Sequence, residues 1–123
     1  NSGLFNGAKK AGLFKLGTWG TEVHPKLAPQ PKDYDIIKHR VSPFYGTRLE
    51  VILSTLKITR LVLFGVSTTG AVLSAAKDGH DRDFDITILD DCSAAATVEQ
   101  HKATLEMVSR FATITTAADI VFP

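Results

Sequence analysis

The feature that most constrains the fold is an apolar run at residues 60–65 (RLVLFG), in which polar residues do not alternate with apolar ones. Such a run is typical of a strand that is covered on both faces, as the strands of parallel sheets are. The segment from Gly70 to about Asp81 follows it and carries a stripe of small residues that includes Ala71 and Ala75. This stripe predicts a helix that packs closely against the sheet. A strand followed by a helix is the repeating unit of an α/β fold.

Upstream of this unit, two segments extend the alternation. Residues 34–39 (YDIIKH) contain adjacent β-branched residues and predict a short buried strand. Thr47, with Glu50 three residues later, forms a capping box that predicts a helix start. Residues 1–33 differ, because glycine and proline interrupt them too often for a long helix or strand. We therefore predict a single domain with a loop-rich segment at 1–33 and an α/β core at 34–123.

Downstream, the same pattern continues. Residues 84–89 (FDITIL) predict a strand, and residues 112–115 predict a final short one. Thr97 and Gln100 form a second capping box between them. The face of this helix that we expect to point inward carries Val98, His101, Leu105 and Val108. Alternating strands and helices with short links predict a mostly parallel sheet in a Rossmann-like, three-layer α/β/α fold.

The composition limits the classes of protein to which the chain can belong. Its 123 residues are 44% hydrophobic and 22% charged, as expected for a globular domain. No stretch of about 18 apolar residues is present, so we expect no membrane span. Residues 1–40 hold seven basic and three acidic side chains, but the lysines lack interleaved aromatic residues, which does not favour nucleic-acid binding. The single cysteine, Cys92, permits no internal disulfide and predicts a reducing, cytoplasmic compartment.

Ligands of parallel α/β sheets bind beyond the carboxyl ends of the strands. Here that rule selects three loops, Lys38–Gly46, Gly65–Gly70 and Asp90–Thr97. The second loop offers backbone amides and hydroxyl groups at a helix start, which would favour an anion or an oxyanion. The same hydroxyl groups, including those of Ser67 and Thr68, are equally suited to capping the helix. The loop matches neither a Walker motif nor a dinucleotide fingerprint.

Individual reactive side chains give weaker signals. Lys38, at the end of a predicted strand, would serve either as an acid, base or electrostatic group or as a lysine that extends to solvent. Cys92 follows two aspartates, whose charges should raise the pKa of its thiol and disfavour a nucleophilic thiolate. The four histidines lack the spacing of metal ligands, so we expect neither a metal nor a cofactor.

Several segments together resemble the isochorismatase-like cysteine hydrolases. They are IIKHRVSPFYGTRL, LVLFGVSTTGAVLSAA, a strand ending in DDCSA and the histidine of EQH, with GTWGTEVHPKLAP upstream. The resemblance covers residues 17–121 and implies a parallel sheet between helical layers. It also implies hydrolysis of an amide or a vinyl ether by an Asp–Lys–Cys triad, and assembly into homo-oligomers.

The resemblance assigns positions in this sequence. Lys38 matches the family lysine, and a cis peptide bond is expected between Val66 and Ser67. The backbone amides of Ser67 and of residue 71 would form an oxyanion hole. The nucleophilic cysteine should stand at position 71, where this chain has Ala71. Residues 1–16 contain no aspartate that could be the third member of the triad.

Three functions follow from this pattern as hypotheses. The first is a pseudoenzyme that binds a small ligand through Lys38, Ser67, Thr68 and the amide of Ala71. Phe44 and Trp19 would then be pocket walls, or else members of the core. The second is a structural or oligomerisation protein with a vestigial pocket, and the third is an active hydrolase whose sequence is incomplete or mutated. By the same resemblance, N-terminal strands of the sheet are missing, so we expect these residues to be the C-terminal portion of a longer chain.

Overall fold

A computed structural model describes residues 2–122, which divide into two compact units, Asn1–Asp35 and Ile36–Pro123. The sequence predicted one domain whose loop-rich segment ends at residue 33. The boundary between the two units falls two residues beyond that point.

The first unit is formed by short helices. Helix α1 covers Gly3–Lys10, and single 3-10 turns cover Trp19–Thr21 and Pro25–Leu27. The last turn of α1 carries Lys9 and Lys10, and their positive charges stabilise the helix by interacting with the negative end of its dipole. The prediction that no long helix or strand forms in this segment is confirmed for residues 2–33.

The second unit is built on a parallel sheet. Its strands are β1 (Arg60–Val66), β2 (Asp85–Ala94) and β3 (Thr113–Thr115), in the order β1-β2-β3. Leu61 pairs with Ile86 in the first ladder, and Ile88 pairs with Ile114 in the second. The three strands predicted at 60–65, 84–89 and 112–115 are therefore confirmed, and β2 extends five residues further than predicted.

Helices α3 (Leu73–His80) and α4 (Val98–Val108) connect these strands and pack on the sheet. A π-helical turn at Thr68–Val72 leads directly into α3, and helix α2 (Leu49–Thr55) precedes β1. Residues of the π-helical turn, α3, β2 and α4 form the core of the unit. This core consists of Val72, Ala76, Ile86, Ile88, Leu105 and Val108. A parallel sheet with flanking helices confirms the α/β class.

The prediction of a strand at residues 34–39 is wrong. This segment has no regular secondary structure, and it contains the boundary between the two units. A strand needs a neighbour whose backbone completes its hydrogen bonds, and adjacent β-branched residues do not supply one. In residues 2–122 the sheet has three strands, to which residues 2–39 contribute none.

Two helix details also differ from the predictions. Helix α2 begins at Leu49, and the Thr47 hydroxyl accepts a hydrogen bond from the Leu49 amide rather than from residue 50. Val98 is exposed, because it is the first residue of α4 and lies at the edge of the face that packs on the core. One of the two hydrogen bonds of the second capping box is confirmed, since Thr97 Oγ1 accepts a hydrogen bond from the Gln100 amide at 3.2 Å.

Candidate functional site

The carboxyl end of β1 continues into a tightly closed turn. The peptide bond between Val66 and Ser67 is cis, as the resemblance implied. The Ser67 carbonyl then accepts hydrogen bonds from the amides of Gly70 (3.1 Å) and Val72 (3.2 Å). These two amides are used within the turn. The oxyanion hole that the resemblance implies depends on two others, the amides of Ser67 and Ala71.

Gly70 is closely packed in this turn, and a side chain at this position would displace the Ser67 hydroxyl group. A Cβ atom at this position would lie 2.8 Å from Ser67 Oγ, closer than real Cβ contacts allow. It would also lie 4.0 Å from Val41 Cγ1. The Val41 side chain therefore lies beside the turn, and two of the three predicted loops, Lys38–Gly46 and Gly65–Gly70, are neighbours.

The third loop reaches the same place through an irregularity in β2. Leu63 pairs with Ile88 and Gly65 with Ser93, so residues 89–92 of β2 lie opposite Phe64 alone. The Ser93 hydroxyl closes this bulge by donating to the Leu89 carbonyl at 2.8 Å. Bulges next to functional sites redirect side chains. This one contains Asp90.

Asp90 begins a chain of hydrogen bonds that links three elements. Its Oδ1 lies 2.7 Å from Nε2 of His101, the fourth residue of α4. Nδ1 of the same ring lies 2.9 Å from the hydroxyl oxygen of Thr68, in the π-helical turn. Thr68 is fully buried, whereas the His101 and Asp90 side chains are 14% and 52% exposed. We call these three residues the Asp90–His101–Thr68 chain.

Sequence reasoning placed these three residues separately and did not connect them. Thr68 was a candidate ligand contact, and His101 was assigned to the inner face of a helix. Asp90 was only the first residue of a candidate loop. A signal was present, since a polar residue on an inward helix face needs a hydrogen-bonding partner, and an acidic residue follows the adjacent strand.

An open cleft borders this chain of hydrogen bonds. Its volume is about 310 Å³, and its lining comprises residues 93–98 and His101. The cleft lies at the carboxyl end of β2, and the ligands of parallel α/β sheets bind beyond the carboxyl ends of the strands.

The side chains proposed to contact a ligand differ in their surroundings. Lys38 is exposed, and its Nζ donates a hydrogen bond to the Arg40 carbonyl at 3.2 Å. Ser67 and Ala71 are half-buried in the turn. Lys38 lies three residues before Val41, whose side chain lies beside the turn.

The two candidate pocket walls lie in different units. Phe44 is buried in the core, with its ring centroid 6.1 Å from that of Phe84, and the Arg82 guanidinium lies 4.8 Å from its centroid. The structure thus places Phe44 according to the core alternative. Trp19 belongs to the first unit and is 87% exposed. Its assignment as a pocket wall stays a prediction.

Cys92 lies in the bulge of β2 and is exposed. Partial desolvation raises the pKa of its thiol, and Asp91 raises it further through its charge and through a hydrogen bond with the thiol. The predicted direction is confirmed, although desolvation contributes more than the carboxylate. A raised thiol pKa disfavours the thiolate that a nucleophilic cysteine needs.

Metal-binding clusters and membrane-spanning helices are both absent from residues 2–122. No group of three or more histidine, cysteine or acidic side chains is arranged to hold a metal ion there. In the same residues, no helix has the length and apolar character needed to cross a membrane.

Comparison of the sequence with known proteins identifies its relatives. Residues 1–119 match the model of the isochorismatase domain. An uncharacterized isochorismatase family protein of Bacillus subtilis is 34% identical over 81% of this chain and 56% of its own length. A probable inactive nicotinamidase of Arabidopsis thaliana is 35% identical over 80% of this chain and 51% of its own. A ureidoacrylate amidohydrolase of Caulobacter segnis is 33% identical over 87% of this chain and 46% of its own.

Solved structures show the same relationship in three dimensions. An isochorismatase-like hydrolase from Alkaliphilus metalliredigens superposes with a TM-score of 0.79 at 36% identity, over 81% of this chain and 55% of that one. The N-carbamoylsarcosine amidase of Thermoplasma acidophilum superposes with a TM-score of 0.75 at 30% identity, over 87% and 61%. These similarities confirm the predicted three-layer α/β/α fold. The chain spans about half the length of the curated relatives it matches. It belongs to the isochorismatase family of hydrolases.

Proposed function

We propose that this chain binds a small amide or carboxylate at the carboxyl end of β1 and that, as it stands, it performs no cysteine-based hydrolysis. The observation that carries the proposal is Ala71. It occupies the place in the turn after the Val66–Ser67 cis peptide bond where the resemblance expects the nucleophile. A methyl group cannot attack a carbonyl carbon or form a covalent intermediate.

The remaining parts of the turn suit binding without covalent chemistry. Backbone amides at the start of a helix attract an anion or a polarised carbonyl oxygen. We assign this role to the amides of Ser67 and Ala71, with Thr68 as the buried residue between them. Lys38 would supply a positive charge to a carboxylate or to a carbonyl oxygen.

The chemistry of the ligand follows from the names of the relatives. Similar proteins include a ureidoacrylate amidohydrolase, an N-carbamoylsarcosine amidase and a probable inactive nicotinamidase. These names share an amide or ureido group, which presents a carbonyl oxygen to hydrogen-bond donors. The probable inactive nicotinamidase supports the proposal that a chain of this family can lack hydrolytic activity.

Binding and hydrolysis are tested with a matched pair of small molecules, nicotinamide and nicotinate. Titration of the isotope-labelled chain with either molecule should shift the amide resonances of Ser67 and Ala71. Lys38→Ala should weaken the binding of nicotinate more than the binding of nicotinamide, because only nicotinate is charged. Chromatography should detect no release of ammonia or nicotinate from nicotinamide. Hydrolysis of nicotinamide by the parent chain, or binding that leaves the turn resonances unmoved, would refute the proposal.

One observation favours a second function, an active hydrolase. The chain spans about half the length of its curated relatives, so a segment outside these residues could supply the missing aspartate. Ala71→Cys tests this possibility. If that variant hydrolyses a small amide only within a longer protein, the site has kept the rest of its catalytic geometry.

The structural or oligomerisation role, with homo-oligomers as partners, is tested by native mass spectrometry with and without the two ligands.

A further inference from the structure

We propose that His101, held by Asp90, is a positioning residue that fixes Thr68 and with it the turn that presents the amides of Ser67 and Ala71. The ligand-related part of this inference depends on the proposed function. Its structural part does not, because it concerns hydrogen bonds within the chain.

The polar atoms define how the hydrogens must be arranged. The Asp90 carboxylate only accepts hydrogen bonds, so the hydrogen in the 2.7 Å contact belongs to Nε2 of His101. In the neutral ring, Nδ1 is then an acceptor and receives the Thr68 hydroxyl hydrogen over 2.9 Å. The carboxylate thereby selects the tautomer of His101 that can hold the threonine.

The burial of these groups assigns them a positioning role. Thr68 is fully buried, so its hydroxyl cannot reach a substrate and cannot exchange its partner for bulk water. His101 bridges this buried hydroxyl to a half-exposed carboxylate at the surface. Because Thr68 is 33 residues from His101 in sequence, the hydrogen bond anchors the turn to a distant helix.

The anchored residue lies at the start of the turn. The Thr68 carbonyl accepts a hydrogen bond from the Leu73 amide, so the residue is tied to α3 through its backbone and to α4 through its side chain. Ser67 precedes it, and the Ser67 carbonyl accepts hydrogen bonds from the amides of Gly70 and Val72. Loss of the side-chain anchor should therefore loosen these two hydrogen bonds first.

The test uses isosteric changes in the full chain. Thr68→Val removes the hydroxyl and preserves the shape, whereas Thr68→Ser retains the hydroxyl. Thr104→Val is the matched control, because Thr104 is also buried but its hydroxyl bonds only to the Gln100 carbonyl of its own helix. Two substitutions at His101 separate the ring atoms. His101→Asn places a polar group near Nδ1, and His101→Gln places one near Nε2.

Amide hydrogen exchange is the readout, with Gly70 and Val72 as reporters of the turn and Ile86 and Ile88 as reporters of the core. We expect Thr68→Val and His101→Gln to speed exchange at the turn by about tenfold or more and to leave the core rates unchanged. Thr68→Ser, His101→Asn and Thr104→Val should stay close to the parent rates. The ¹⁵N spectrum of His101 should show the Nε2–H tautomer, and Asp90→Asn should alter it.

The outcomes separate this inference from the proposed function. Equal acceleration of turn and core in Thr68→Val, or no acceleration at the turn, would overturn the positioning role, as would a His101 ring that carries its hydrogen on Nδ1. Nicotinamide and nicotinate titrations are read separately. If the parent chain binds neither molecule while Thr68→Val loosens the turn, the proposed function fails and the positioning role stands.

Discussion

Gly79 offers a sharp test of how tightly α3 packs on the sheet. It is buried near the end of α3. A Cβ atom added there would lie 2.8 Å from Ile86 Cδ1 and 3.4 Å from Leu61 Cδ1. The first distance is shorter than real Cβ contacts, and Ile86 is itself buried in the core. Gly79→Ala therefore forces the Ile86 side chain to move.

Two opposing effects set the size of the change. Alanine in place of glycine within a helix stabilises by about 1 kcal/mol. Overpacking a well-packed core costs about 1–3 kcal/mol. We therefore expect Gly79→Ala to lower the free energy of unfolding by about 1 kcal/mol, after the helix gain is subtracted. Ile86→Val alone removes the clashing methyl group and should cost about 0.5–1.5 kcal/mol.

The double variant distinguishes a clash from a general loss. With both changes, the new methyl group occupies space that Ile86 Cδ1 has left, so we expect a coupling of about 1–2 kcal/mol in favour of the pair. The assay is urea unfolding followed by circular dichroism. Gly7→Ala in α1 is the control, because no atom lies within 4 Å of its Cβ position. Effects that add within about 0.5 kcal/mol, or a Gly79→Ala variant more stable than the parent, would refute the reasoning.

Two other predictions follow from local contacts. Thr97→Ala removes the side-chain cap that receives the Gln100 amide and should lower the free energy of unfolding by about 1 kcal/mol, whereas Thr97→Ser should not; urea unfolding measures both. Asp91→Asn removes the charge that raises the thiol pKa of Cys92. The pH midpoint of Cys92 alkylation by iodoacetamide should therefore fall in this variant, and an unchanged midpoint would contradict the assignment.

The parts of the fold that could be predicted from the sequence are those that local periodicity determines. The apolar residues that follow Arg60 predicted the strand β1 from the local sequence alone. The same pattern also predicted that both faces of this strand are covered, whereas Phe64 and Val66 are exposed in the described part of the chain. The start of α4 was predicted because Thr97 and Gln100 interact across a single turn. Residues 34–39 were misassigned because pairing with a neighbouring strand is a property of the tertiary structure.

The candidate site shows the same division. The cis peptide bond in the turn at residues 65–72 was implied by the resemblance and is confirmed, whereas the role assigned to position 71 stays a prediction. The bulge that turns Asp90 toward His101 was not, because it arises from the register between β1 and β2. A partner 33 residues away, such as His101 for Thr68, is determined by how α4 packs, and no local spacing encodes it.

The edge of β1 connects these results to the rest of the protein. Within residues 2–122, β1 pairs only with β2, and its Phe64 and Val66 side chains are exposed. A strand with unpaired backbone groups and exposed apolar side chains is a template for another strand. We propose that a strand from outside these residues pairs with β1, in line with the chain's spanning about half the length of its relatives. The outward-facing amides of β1 should then exchange rapidly in the 123-residue chain and slowly in a protein that contains the added strand. If they already exchange as slowly as those of Ile86 and Ile88 in the 123-residue chain by itself, no further strand is needed.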